Sequence, residues 1–194
     1  ILSSMFFSVL ESLTLVFGLA YVLLQVKQSR WMWPVDILCC IAAVIVFAQQ
    51  RLWASMGLNV YYLIMGFVGI VAWNKDAQKV ENEQMRVRKM SRKTLVVSLL
   101  AMVVSGIGLY YVLKLTGDAS PAVDAIVGAS GIVGTVWLVR TYLENWIVWL
   151  FSDIVSTLLC LSQGLYWMMA LYLVYTITAV IGWREWRSKA VYID

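Results

Sequence analysis

The chain has 194 residues, of which 62% are hydrophobic and only 13% are charged. Because soluble domains usually contain about a quarter charged residues, this composition excludes a water-soluble globule and indicates an integral membrane protein. Much of the charge lies in residues 74–94, between two apolar segments, and no nucleic-acid-binding motif accompanies the net charge of +4, so we expect no nucleic-acid partner. There is no histidine, the commonest metal ligand, and we expect neither a metal nor a cofactor.

Seven apolar segments follow one another, and each is about long enough for a helix to cross a bilayer. They cover residues 5–25, 33–50, 54–73, 95–115, 122–140, 145–163 and 167–186. If the N-terminus lies outside, every Lys and Arg except Arg51 and Lys114 falls on the cytoplasmic side, which agrees with the positive-inside rule. The sequence therefore predicts an all-α integral membrane protein with seven transmembrane helices and a cytoplasmic C-terminus.

The two ends of the chain resemble each other. Residues 62–73 and 172–183 both begin with Tyr-Leu and end with Trp, and the offset that aligns them also matches Gly18 with Gly128. This predicts parallel repeats of three helices, an arrangement in which some transporters bind substrate between the halves. We expect a first bundle at 1–74, a charged cytoplasmic loop at 75–94, a linker helix at 95–115 and a second bundle with its tail at 116–194.

Polar side chains form a stripe along the sixth segment, since residues three or four apart share a helix face. The stripe contains Asn145, Trp149, Ser152, Asp153, Ser156 and Cys160, with Gln163 at its end and Trp146 beside it. A charge inside the membrane is costly and usually faces a cavity or a partner. Asp153 would neutralise a cationic substrate while a tryptophan stacks on its ring; the alternatives are a helix–helix contact for Asp153 and interfacial anchoring for the tryptophans.

Other candidates lie on the first, second, third and seventh segments. Asn59, Tyr62, Tyr172 and Tyr175 are candidate substrate contacts, and Glu11, Trp33 and Asp36 are candidate gate residues. The alternative for the tyrosines is packing. For Asp36, which follows a proline near the start of its segment, the alternative is helix capping.

Motifs for catalysis are missing from the sequence. There is no phosphate-binding G-x-x-x-x-G-K-[ST] loop, no metal-binding H-E-x-x-H or C-x-x-C spacing, and no lysine in residues 167–186 for a retinal Schiff base. The sequence therefore favours a transporter over an enzyme or a photoreceptor.

Three stretches resemble the PnuC family of bacterial vitamin transporters: "WMWPVDI" (31–37), "ASMGLNVYYLIMGFVGIVAW" (54–73) and residues 140–183, which include "ENWIVW" and "QGLYW". The resemblance implies a SWEET-like arrangement of 3+1+3 helices, a homotrimer in the bacterial inner membrane, and facilitated diffusion. It also implies a cytoplasmic kinase that traps the vitamin by phosphorylation. In this family Asn145, Trp146 and Trp149 would hold the substrate ring, and Asn59 and nearby tyrosines would contact the remainder.

Members of the family carry nicotinamide riboside, thiamine or riboflavin. Nicotinamide riboside carriers tend to have an amide where this chain has Asp153 and a glutamine where it has Asn59. The resemblance therefore narrowly favours thiamine, whose thiazolium ring is cationic, with nicotinamide riboside, also a cation, as the alternative. Two further alternatives are a proton-coupled transporter using Asp153 or Glu11, and a membrane receptor that does not transport.

Overall fold

The computed structural model describes residues 16–49, 51–77 and 85–193, which form seven helices and one pair of short strands. The helices are α1 (Val16–Val26), α2 (Met32–Gln49), α3 (Trp53–Ala77), α4 (Arg92–Leu115), α5 (Pro121–Val139), α6 (Asn145–Ser162) and α7 (Tyr166–Ser188). The strands are β1 (Met85–Val87) and β2 (Ala190–Tyr192). The prediction of a seven-helix protein is confirmed, and the two strands are the departure from an all-α fold.

Five of the described helices, α2 to α6, are long and apolar enough to cross a membrane. On α4 no residue is buried, and large apolar side chains such as Val104, Ile107 and Leu115 are exposed on its surface. A continuous apolar surface of this kind marks a contact with lipid or another apolar partner. The helix begins with a side-chain cap, because the hydroxyl of Ser91 accepts a hydrogen bond from the Thr94 amide at 3.0 Å.

The chain divides into two compact units between Lys75 and Asp76. In the second unit, α5 packs against both α4 and α6, and most of its residues are buried. The indole of Trp137 on α5 donates a hydrogen bond to the Ser98 hydroxyl on α4 at 3.0 Å. Small residues such as Gly134, where a Cβ would lie 3.3 Å from the Trp149 ring, let the neighbouring helices approach closely.

A parallel strand pair joins the charged segment after α3 to the C-terminal tail. Met85 pairs with Ala190 and Val87 with Tyr192, and β1 is buried throughout. Burial lowers the pKa of the Arg86 guanidinium, and the nearby Asp76 carboxylate opposes that shift. Residues predicted to be only a charged loop therefore contribute an ordered strand to the second unit.

The local geometry of the first unit recurs in the second at one constant offset along the chain. Helices α2 and α6 both have 18 residues, and the offset that aligns their first residues also aligns the first residues of α3 and α7. The residues with positive φ before and after α2, Gln28 (49°) and Arg51 (59°), correspond at this offset to Thr141 (55°) and Gly164 (73°) around α6. The sequence predicts an offset of 110 residues, from residue 62 to residue 172, whereas the structure gives 113, from residue 32 to residue 145. The predicted offset is therefore wrong by three residues, which is close to one helical turn and leaves the apolar pattern almost unchanged.

Candidate functional site

The polar stripe predicted on α6 is the buried face of that helix. Its buried members are Asn145, Ser152, Asp153, Ser156 and Cys160. The opposite face carries large exposed apolar side chains, among them Ile147, Phe151, Ile154 and Leu158. The helix thus turns its polar side towards α5 and α7, against which it packs, and its apolar side outward, as a lipid-facing helix with a polar interior would.

A strained turn between α5 and α6 sets the position where the stripe begins. Thr141 adopts a left-handed backbone conformation (φ 55°), which is unfavourable for a β-branched residue. The Arg88 amide donates to the Thr141 carbonyl at 3.1 Å, and the Arg88 guanidinium donates to the Thr141 hydroxyl at 3.3 Å. The same guanidinium pairs with Asp76 at 2.7 Å. Arg88 therefore holds the turn from which Asn145 starts α6.

Polar atoms without partners are concentrated at this end of α6. The side-chain amide of Asn145 donates to the Tyr142 carbonyl, but its oxygen is buried and accepts no hydrogen bond from the described residues. The same is true of Glu144 Oε2, and the indole nitrogens of Trp146 and Trp149 have no acceptor there. Buried polar groups are normally satisfied, so this cluster of two acceptors and two donors is suited to a polar ligand.

Asp153 lies two turns further along the same face, with 9% of its surface exposed. The described residues supply no cation to its carboxylate, and its main-chain oxygen accepts a hydrogen bond from the Thr157 hydroxyl at 2.7 Å. An unpaired carboxylate at this depth is costly. A cationic ligand would offset that cost.

The two tryptophans of the motif have different surroundings. Trp146 is only 1% exposed, packs against Gly182 and lies edge-on to Trp186, with ring centroids 5.4 Å apart. Trp149 is half-buried and packs against α5 at Gly134. Trp149 is therefore the more accessible of the two rings.

The other candidates in the second unit are less closely associated with the stripe. Tyr172 and Tyr175 are half-buried on α7 with their rings edge to face, 6.2 Å apart. Gln163 lies past the end of α6, is exposed, and donates to the Ser120 hydroxyl at 3.2 Å. Sequence reasoning missed Glu144 as a candidate, although it directly precedes Asn145 in the motif.

The remaining candidates lie in the first unit. On α3, Asn59 donates to the Ser55 carbonyl of its own helix at 2.9 Å, and the Tyr62 ring lies 5.5 Å from that of Tyr61. On α2, Asp36 accepts a weak hydrogen bond from the Cys40 thiol at 3.8 Å, and Trp33 is fully buried. Glu11 is outside the described residues. Their roles in binding or gating stay predictions.

Comparisons with known proteins agree with the helical architecture. The family described as "Nicotinamide mononucleotide transporter" matches residues 8–188. The nicotinamide riboside transporter PnuC of Escherichia coli is 28% identical, in a comparison that covers 75% of this chain and 71% of that protein. The riboflavin/roseoflavin transporter RibM of Streptomyces davaonensis is 24% identical, in a comparison that covers 88% of this chain and 81% of the relative.

A crystal structure of the vitamin B3 transporter PnuC shares the fold, with a TM-score of 0.72 and 21% identity, covering 93% of this chain and 81% of that one. The resemblance identified from the sequence motifs is thus confirmed, and the relatives are transporters, not enzymes. The chain is a multi-pass membrane transporter and belongs to the nicotinamide mononucleotide transporter family.

Proposed function

We propose that this protein carries a cationic, unphosphorylated vitamin across the membrane by facilitated diffusion, with nicotinamide riboside as the first candidate. The observation that supports the proposal most directly is the inward face of α6. It presents a buried carboxylate without a cation, Asp153, together with the unpartnered polar atoms of Asn145 and Trp149. Asp153 would neutralise the charge of a pyridinium ring, and Asn145 and Trp149 would hydrogen-bond to the ligand or stack on its ring.

Nicotinamide riboside ranks first because the Escherichia coli relative is named for it. The preference for thiamine has no support among the relatives named above, but Asp153 suits its thiazolium ring equally well, and thiamine is the second candidate. Riboflavin, for which the Streptomyces relative is named, is uncharged and gives Asp153 no counter-charge. A mononucleotide adds a phosphate, which an unpaired carboxylate repels.

Three further elements of the proposal rest on the family resemblance and on the distribution of charge. They are a homotrimeric assembly, an inner-membrane location with the N-terminus outside, and net uptake driven by a cytoplasmic vitamin kinase that consumes the carried substrate. Neutralisation of Asp153 by the substrate itself requires no coupled proton. We therefore place facilitated diffusion ahead of proton coupling.

The first experiment is a side-by-side titration of the purified, detergent-solubilised protein with nicotinamide riboside, thiamine and riboflavin. Tryptophan fluorescence is the readout, with calorimetry as a check. We expect saturable binding of nicotinamide riboside and weaker binding of the other two. Tight binding of thiamine alone would reverse the order, and tight binding of riboflavin alone would contradict the role of Asp153.

Sealed proteoliposomes then distinguish the modes of action. Facilitated diffusion predicts counterflow of labelled substrate and an uptake that stops at equal concentrations on both sides. Accumulation driven by a pH gradient alone would establish proton coupling. Binding without counterflow would indicate a receptor.

A further inference from the structure

A tryptophan on the second helix of the first unit packs into a gap left by a glycine on the third. Trp33 is 0% exposed, and a Cβ added to Gly69 would overlap atoms of its indole ring. The ring also lies edge-on to Trp73, with centroids 5.3 Å apart and planes at 84°. The two helices can approach this closely only because residue 69 has no side chain.

The second unit contains the same arrangement. Trp146 on α6 is buried, a Cβ added to Gly182 on α7 would overlap the outer edge of its ring, and Trp186 lies edge-on with centroids 5.4 Å apart and planes at 90°. The three residues in each unit follow the same spacing, W-x35-G-x3-W. Each is related to its counterpart by the same offset that aligns the starts of the helices.

The neighbours of these tryptophans on the same helix face are not shared between the units. Where α6 continues with Trp149 and Asp153, the corresponding residues of α2 are Asp36 and Cys40. Trp33 is therefore packed against its glycine and tryptophan although Asp36 takes the place of Trp149 and Cys40 takes the place of Asp153. Because Trp146 contacts a glycine and a tryptophan of the next helix as Trp33 does, packing alone accounts for its burial.

We propose that Trp146 is a positioning residue that fixes α6 against α7 through Gly182 and Trp186, and that it is not the ring on which the substrate stacks. The inference rests on the proposed function, since it assumes that α6 carries the binding site. With α6 held to α7, Asn145 and Trp149 keep a fixed position relative to Tyr172 and Tyr175. Ring stacking falls to Trp149, which is only half-buried.

A size exchange between residues 182 and 146 tests the proposal. Gly182→Ala forces the Trp146 ring outward, so we expect a melting temperature lower by about 2–10 °C and binding of nicotinamide riboside weaker by about 3–10-fold. The double variant Gly182→Ala/Trp146→Phe removes the outer ring atoms that the new methyl group meets. We expect it to recover at least half of the lost melting temperature and to restore the affinity to within about threefold of the wild type.

Binding of labelled nicotinamide riboside to the folded protein is the readout that separates positioning from stability alone. If Trp146 stacks on the substrate, the double variant binds more weakly than Gly182→Ala, and this result would overturn the proposal. If the double variant recovers stability while the affinity of all variants stays at the wild-type value, Trp146 has a packing role without positioning. The proposal fails in that case too.

The first unit supplies matched controls. We expect Gly69→Ala and Trp33→Phe to lower the melting temperature by amounts similar to Gly182→Ala and Trp146→Phe. We expect Trp149→Leu to reduce affinity at least tenfold with a smaller loss of stability. If the wild-type protein binds none of the three vitamins, the proposed function fails, whereas recovery of the melting temperature in the double variant still decides whether Trp146 and Gly182 form the packing unit.

Discussion

Replacing Asp153 by asparagine keeps the shape of the side chain and removes its charge. Two unit charges 4 Å apart attract each other by about 4 kcal/mol at an effective dielectric constant of 20, and desolvation of the ligand offsets part of that attraction. Since Asp153 has no cation in the described structure, the ligand would be its counter-ion. We expect a loss of about 2–3 kcal/mol in binding nicotinamide riboside, which is about a 30–150-fold weaker affinity.

The stability of the empty protein should respond differently. An aspartate near the middle of a membrane helix costs about 2.5–3.5 kcal/mol on insertion scales, so Asp153→Asn should leave the melting temperature unchanged or raise it. Calorimetry with nicotinamide riboside and with its uncharged reduced form separates the effect of charge from that of shape, because the substitution should weaken the binding of the cationic form only. Ser162→Ala, at the exposed end of α6, is the control and should change neither affinity nor melting temperature. Equal weakening of both ligands, or a fall in melting temperature, would refute the assignment of Asp153 as the counter-charge.

Three further predictions concern residues around the site. Arg88→Ala removes the ion pair with Asp76 and the support of the α5–α6 turn. It should cost about 1–3 kcal/mol, seen as a lower melting temperature, whereas Asp76→Asn should cost less. Gln163→Ala should leave the affinity within about twofold of the wild type, because this side chain is exposed and bonded to Ser120; a tenfold loss would place it in the site. Ser91→Ala removes the N-cap of α4 and should cost about 1 kcal/mol, measured by thermal unfolding with ligand affinity as the control.

The buried face of α6 was predictable because helical periodicity depends only on the sequence. Residues three or four apart share a face, and the stripe from Asn145 to Cys160 follows that rule. The rule fails where the helix ends: α6 stops at Ser162, so Gln163 continues the spacing without continuing the buried face. Gly164, which adopts a positive φ directly after Gln163, marks that end, as glycine commonly does after a helix.

The register of the repeat and the strand pair were not predictable by the same reasoning. A shift of three positions turns a helix by about 300°, so two apolar helices align almost equally well at either offset. Trp183 and Trp186 both offer a match to Trp73, and the structure selects the second through the helix starts, the positive-φ residues and the contact of Trp186 with Trp146. The strand β1 is short and includes Arg86, and a pairing with a partner so distant along the chain leaves no local pattern.

The corrected register provides an internal alignment of one half of the protein with the other. Positions that keep the same residue in both halves, such as Trp33 with Trp146 and Gly69 with Gly182, have the same packing in both. Both units need to hold two helices together, and this shared packing explains why these positions carry the same residue. Trp149 and Asp153 have no counterpart of their own kind in α2, although the backbone around them is repeated. Since the scaffold is shared and these side chains are not, the chemistry that selects a substrate is to be sought at the positions where the two halves differ.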